Sequence, residues 1–123
     1  MKRNLIWIIG GIIAVAIIWQ VVSPARFWIN LFKQVDLSDP PLMGEQLVQK
    51  YDCWKCHMIA GEGALKAQDL SGVTQRLDET SLRLWLENPR ALDRRTAMPN
   101  FRLSDAEITA IIAYLKKIDG EEK

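Results

Sequence analysis

The chain has few of the side chains from which metal centres and redox pairs are built: its 123 residues include two cysteines and one histidine. A structural zinc site takes four Cys/His ligands, so this inventory all but excludes one. Residues 42–123 contain no alternating or β-branched run. That removes the strand a thioredoxin-like thiol pair needs before its C-x-x-C within a βαβ pattern. An excess of charge is also missing, with sixteen Lys/Arg against fifteen Asp/Glu overall and twelve against thirteen in residues 42–123. Nothing resembles the basic stripe of a nucleic-acid binder, and no nucleic-acid partner is expected. The length is about one domain's worth, too short for a large two-domain enzyme or most nucleotide-binding folds. With 49% hydrophobic residues and a net charge of +1, the chain also lies far from intrinsic disorder.

A long apolar run is present instead. Residues 5–22 (LIWIIGGIIAVAIIWQVV) carry no charge and one polar side chain, Gln20. At ~1.5 Å per residue an 18-residue helix spans about 27 Å, which predicts a single N-terminal transmembrane helix. Trp7 and Trp19 would then lie at the two interfaces. Ala14-Val15-Ala16 offers a competing reading as a cleavage site. The run continues apolar through Ile17, Ile18, Val21 and Val22, which favours a retained anchor. Lys2 and Arg3 before the span and Arg26 and Lys33 after it leave the orientation a near tie. Beyond it, Ser23-Pro24 reads as N-cap and N1 of a second helix. Phe27, Trp28, Leu31, Phe32 and Val35 recur on one face of it. Such a helix lies along a membrane surface or packs against another subunit. Residues 36–41 (DLSDPP) read as a short, stiff linker. The chain thus divides into an anchor (1–23), an amphipathic helix and linker (24–41), and a folded domain (42–123).

That domain reads as all-α. Leu47, Val48 and Tyr51 mark a first helix leading into Cys53. Thr80 or Ser81 can cap a shorter helix bearing Leu82, Trp85 and Leu86, stopped by Asn88-Pro89. Ser104-Asp105-Ala106-Glu107 is a capping box, and Ile108, Ile111, Ile112, Leu115 and Ile118 follow on one helical face. Lys116 and Lys117 in the last turns suit the helix dipole.

The chemistry is concentrated in Cys53-Trp54-Lys55-Cys56-His57. C-x-x-C-H is the attachment signature of a c-type haem. Each thiol adds across one vinyl group, and the adjacent imidazole becomes the proximal iron ligand. A disulfide across two residues would be strained and would leave His57 unexplained. A sixth ligand has few candidates. Met1 lies beyond the apolar run, Met58 is chained to the proximal residue, and Met43 belongs to the helix entering the motif. Met98 remains, followed by Pro99 in a loop before the last helix; an ordinary core methionine is the competing reading.

The stretches GEQLVQKYDCWKCH, GEGALKAQDLSGV, LRLWLENP and AMPNFRLSDAEITAIIAYLKKI together resemble a class I cytochrome c domain over most of 42–123. More narrowly, CH-x-x-x-GEGA with one N-terminal anchor is similar to the small cytochrome subunit of nitric oxide reductases and to membrane-bound, oxidase-linked cytochromes c. The resemblance implies three or more helices around one covalent haem c. It implies Gly44 and Val48 crossing Ile111 and Tyr114. It also implies Leu70 packed on the haem, and Trp85 lining the ring or reaching a propionate. The family usually has a proline where Gln68 stands, its carbonyl accepting the proximal histidine's Nδ1–H. Arg90, Arg94, Arg95 and Arg102 flank the Met98 loop and either neutralise propionates and shape a docking face or form a solvated surface. The function implied is one-electron transfer between respiratory-chain components by a non-enzymatic carrier. That carrier would be tethered to lipid through 5–22, its haem domain on the periplasmic or outer face. The alternative is an integral subunit of a larger respiratory complex. Ligand sensing or peroxidase activity would require a labile Met98 bond.

Overall fold

The computed structural model describes residues 2–22 and 25–121, with side chains from 4 to 19 and from 26 to 120. Among them run α1 (Lys2–Val22), α2 (Ala25–Phe32), α3 (Pro40–Lys50), a 3₁₀ turn (Cys53–Lys55), β1 (Met58–Ile59) and β2 (Glu62–Gly63). These are followed by α4 (Val73–Arg76), α5 (Glu79–Glu87), α6 (Pro89–Leu92) and α7 (Asp105–Glu121). The two short strands pair antiparallel, Met58 opposite Gly63 and Ile59 opposite Glu62. The all-helical expectation for 42–123 holds apart from this hairpin, which no alternation announces because each strand is two residues long.

The expectation of a transmembrane helix over 5–22 is corrected. Among the described residues no helix is long and apolar enough to cross a membrane. The described apolar side chains run from Leu5 to Trp19, about 23 Å of helix, against a hydrocarbon core of ~30 Å. The span of 5–22 depends on Gln20, Val21 and Val22, whose side chains lie outside the described set. Every described side chain of α1 is exposed, Trp7 and Trp19 by 78% and 73%.

The Ser23-Pro24 cap lies outside the described residues, although α2 begins directly after it. This helix docks on the domain by a polar stripe instead of its aromatic face. Arg26, Asn30 and Lys33 recur at i, i+4 and i+7, the spacing that puts them on one side. Arg26 pairs with the carboxylates of Asp105 and of Glu87 (3.2 Å). Asn30 donates to the Asp105 side chain, and its own oxygen accepts the Asp105 backbone N–H at 2.8 Å. Phe27, Trp28, Leu31 and Phe32 stay exposed, and the three aromatic rings pack on one another. Val35 leaves that face: it follows the helix outside any regular element and packs on the core. The linker is also shorter than expected, because Pro40 and Pro41 open α3. Asp39 is the N-cap and accepts from Leu42 N at 3.1 Å, and proline in a first turn loses no hydrogen bond.

The core lies where α3 crosses α7. Leu47 and Val48 meet the buried stripe Ile108, Ile111, Ile112 and Leu115, joined by Ile59, Val73, Leu82 and Leu103. Gly44 makes the crossing possible. A Cβ there would clash with the Ala110 carbonyl and lie 2.7 Å from Tyr114 Cβ. The capping box of α7 forms as read: Glu107 N donates to Ser104 Oγ (3.1 Å) and Ser104 N to Glu107 Oε2 (2.9 Å). Helix α5 starts earlier than expected, because Asp78, not Thr80 or Ser81, is its cap and accepts from Ser81 N at 2.7 Å. A carboxylate at that end also favours the helix dipole.

Candidate haem site

The five-residue motif is folded by its own backbone. Asp52 takes a left-handed conformation (φ 55°) at the end of α3 and turns the chain into the 3₁₀ turn. The Cys53 carbonyl then accepts from both Cys56 N (3.2 Å) and His57 N (3.0 Å), gathering both thiols and the imidazole on one turn. The hairpin doubles back beneath it through Ala60 and Gly61, both at positive φ. Ala64 N donates to Trp54 O at 2.9 Å, and Lys66 N and Ala67 N to Cys56 O at 3.0 and 2.8 Å. Gly63 has no room for a side chain. At φ 104° a Cβ would run into the His57 carbonyl and lie 3.0 Å from Trp54 O.

His57 is oriented from the next loop. Its Nδ1 lies 2.7 Å from the carbonyl oxygen of Gln68. A carbonyl can only accept, so Nδ1 carries the proton and the Nε2 lone pair is left for a metal. The loop that presents Gln68 is itself held. Asp119, 3% exposed near the end of α7, accepts from Gly72 N (2.7 Å), Thr74 N (2.8 Å) and Thr74 Oγ1 (2.6 Å). Arg76 donates to the carbonyls of Ser71 and Asp69. Leu70 N bonds Met58 O at 2.9 Å, which keeps half-buried Leu70 beside the motif.

Met98 is half-buried in the loop between α6 and α7, its N–H on Thr96 Oγ1 at 3.2 Å. Trp85 is half-buried on α5. Among the described residues no hydrogen bond or ring contact joins Met98 or Trp85 to the Cys53–His57 turn. Arg90, Arg94, Arg95 and Arg102 are exposed. Asp93 turns its carboxylate to the backbone N–H of Arg95 at 2.9 Å.

Three groups take roles that the sequence did not announce. Asp119 and Glu107 both continue the apolar stripe of α7, and a carboxylate on a buried stripe signals a built interaction. Glu107, 1% exposed, accepts from Tyr51 Oη at 2.7 Å and pairs with Lys50 at 3.4 Å. Burial pushes its carboxyl upward, but the Ser104 N–H, the Tyr51 hydroxyl, Lys33 and Lys50 outweigh it and hold the group below its usual value. Lys33 is the third; its signal was the polar i, i+4, i+7 stripe of α2.

The residues present fit a covalent haem. Two free thiols stand on one turn beside an imidazole whose Nδ1 is engaged by the Gln68 carbonyl, which leaves Nε2 as the ring nitrogen available to an iron. The indole N–H of Trp54, between those thiols, is buried without a protein partner among the described residues. The described residues contain no group of three or more His, Cys, Asp or Glu able to hold an ion. Burial, reinforced by the Asp52 carboxylate, pushes the free Cys53 thiol up to about 11. That is opposite to the depressed value of a thiol-disulfide catalyst.

Known proteins match on this same ground. The cytochrome c family profile covers residues 42–119, from α3 through most of α7. The chain belongs to the cytochrome c family. It is 27% identical over 130 residues to the C subunit of nitric oxide reductase from Halomonas halodenitrificans, covering 96% of this chain and 85% of that one. It is 30% identical over 127 residues to the corresponding nitric oxide reductase subunit of Paracoccus denitrificans, covering 94% and 83%. A more distant similarity, 26% over 107 residues, is to cytochrome c oxidase subunit 2 of Bacillus subtilis, covering 75% of this chain and 30% of that one. As a cytochrome c, the protein carries a covalently bound c-type haem and is an electron-transfer protein.

Proposed function

We propose that this cytochrome c is the electron-input subunit of a membrane-associated respiratory complex. It takes single electrons from a donor and passes them to a catalytic partner without transforming a substrate itself. Cys53 and Cys56 would hold the haem through thioether bonds, and His57 Nε2 and the Met98 sulfur would bind its iron. The bound haem supplies reversible one-electron chemistry, and thioether ligation raises its potential. The protein's part is to hold the ligands still. Gln68 fixes the tautomer of His57, and Asp119 fixes the loop that presents Gln68. A rigid proximal side keeps rearrangement on electron transfer small. Exposed Arg90, Arg94, Arg95 and Arg102 around the Met98 loop form a docking face whose charge raises the encounter rate. The haem domain lies on the periplasmic or outer side, where covalent haem attachment is performed.

The observation that carries the reading is the His57 Nδ1–H bond to the Gln68 carbonyl within a C-x-x-C-H turn. The subunit role is favoured over a free carrier by the exposed aromatic face of α2, which suits contact with a second subunit or with lipid, and by the names of the relatives. Met98→Ala is expected to retain covalent haem, lose the far-red sulfur-to-iron absorption band and lower the potential. An unchanged spectrum would rule out Met98 as ligand. Isolation in mild detergent is expected to yield a stoichiometric partner bearing its own redox centres. A red protein recovered alone from native membranes would return the reading to a free carrier.

A further inference from the structure

The Met98 loop is fastened mostly to itself. Thr96 N reaches Asp93 O (3.2 Å), Met98 N reaches Thr96 Oγ1, and Arg102 N reaches Asn100 Oδ1 (2.9 Å). Each of these bonds closes a turn of two or three residues within the loop. Phe101 and Leu103 pack on the core at the loop's returning end, and a hydrogen-bonded link to another element comes from outside the 42–119 domain. Lys33 Nζ lies 2.9 Å from Arg102 O, 3.4 Å from Phe101 O and 3.2 Å from Tyr51 Oη. An ammonium has three donors and no acceptor, and these three oxygens match them.

The surroundings are built to keep that ammonium in place. Lys33 continues α2, its N–H bonded to Ile29 O at 2.8 Å, and the same helix is pinned to α7 by Arg26 and Asn30. Tyr51 lies under the lysine at 5.4 Å and against the Phe101 ring at 5.5 Å. The buried Glu107 carboxylate, 4.0 Å away, supplies the opposing charge. Arg102 is held at φ 51°, a left-handed conformation that a residue with a side chain keeps only where its neighbours enforce it.

We propose that Lys33 is a positioning residue for the distal ligand. Brought in by the N-terminal segment, it clamps the returning limb of the Met98 loop and so limits how often the thioether leaves the iron. The proposal rests on Met98 as axial ligand. Phe101 and Arg102 are three and four residues beyond Met98, close enough that fixing their carbonyls confines the methionine. The N-terminal segment then acts on the redox centre as well as joining the domain to its surroundings.

The test uses ferric holoprotein titrated with imidazole, which replaces the thioether only when the loop opens, so its apparent affinity reports the open fraction. Lys33→Met is expected to bind imidazole about tenfold more tightly, the scale of losing one or two hydrogen bonds to a charged donor. Lys33→Arg restores both carbonyl bonds and is expected to return affinity close to that of the unmodified protein. Tyr51→Phe keeps both carbonyl bonds and is expected to change affinity by less than about threefold. Far-UV thermal melts run in parallel separate loop opening from loss of the whole fold. Unchanged affinity in Lys33→Met overturns the proposal. So does a rise that only tracks a lower melting temperature and that Lys33→Arg fails to reverse. A sulfur-to-iron band that is missing, or that survives Met98→Ala, overturns the ligation reading and the clamp with it. A band that depends on Met98, together with an imidazole affinity that ignores Lys33, overturns the clamp alone.

Discussion

The loop that bonds the haem motif and the loop that carries Met98 are secured in opposite ways. The proximal one (68–76) is tied to α7 by the buried Asp119 carboxylate, which accepts three short bonds from Gly72 and Thr74. Arg76 adds clamps on two of the loop's own carbonyls. The distal one (93–103) packs Phe101 and Leu103 on the core but is otherwise a series of local turns, hydrogen-bonded to another element through the half-exposed ammonium of Lys33. A buried carboxylate receiving backbone N–H groups makes a stiff joint, because removing it leaves donors unpaired away from water. A part-exposed lysine on carbonyls makes a looser one that solvent can replace. The difference makes the His57 side the stiffer of the two and, on the proposed ligation, leaves the Met98 side adjustable.

The largest expected effect is on the stiff side. Asp119→Ala strands the N–H groups of Gly72 and Thr74 and the Thr74 hydroxyl, and is expected to cost about 3 kcal/mol. Urea unfolding of the holoprotein reads this directly, and a loss within ~0.5 kcal/mol would mean the proximal loop is not held by Asp119. Asp119→Asn, which keeps one accepting oxygen, should lose roughly half as much.

Acidification probes the seam that delivers Lys33. The Arg26 guanidinium, with Asn30 and against some burial, holds the Asp105 carboxyl below its usual value. Because the folded value is the lower one, this stabilisation is complete above the ordinary carboxylate range. It is lost as pH falls through the folded value. Asp105 is more than half exposed, so the contribution is small, about 0.5 kcal/mol. Between about pH 5 and pH 3, Arg26→Gln is expected to lose less stability than the unmodified protein. Equal losses would show that the seam carries no linkage. The smallest effect belongs to Arg102→Gly, which relieves a left-handed residue while keeping its carbonyl for Lys33. It is expected to leave holoprotein stability unchanged or raised by up to ~1 kcal/mol, and a clear loss in urea unfolding would assign Arg102 a side-chain role.

Much of the stiff side was legible in the sequence. The capping box of α7 and the isoleucine stripe stand as read, because each rests on a local pattern with one physical meaning, and the Gly44 crossing stands as the family resemblance implied. Gln68 departs from the family's proline yet bonds His57, since a backbone carbonyl does not depend on its side chain. The adjustable side was less visible. The aromatics of α2 dominate its pattern over Arg26, Asn30 and Lys33, and a polar stripe names no partner until a tertiary contact supplies one. Asp119 and Glu107 carry the same ambiguity in one dimension, where a solvated carboxylate and a buried one look alike. The transmembrane expectation over 5–22 failed on length, since it needs every residue of the run and has no margin. The Asp78 cap was missed because three residues within four positions could each have capped α5.

The central claim is that one haem iron is held between His57 and Met98. The most direct measurement is the carbon–proton NMR spectrum of the ferrous holoprotein with methionine methyl groups labelled with carbon-13. Of the four methionines, one methyl is expected far upfield, shifted by the ring current of the porphyrin beside it, and absent from Met98→Ala. A spectrum with no upfield methyl, or one whose upfield methyl survives that substitution, would contradict the account.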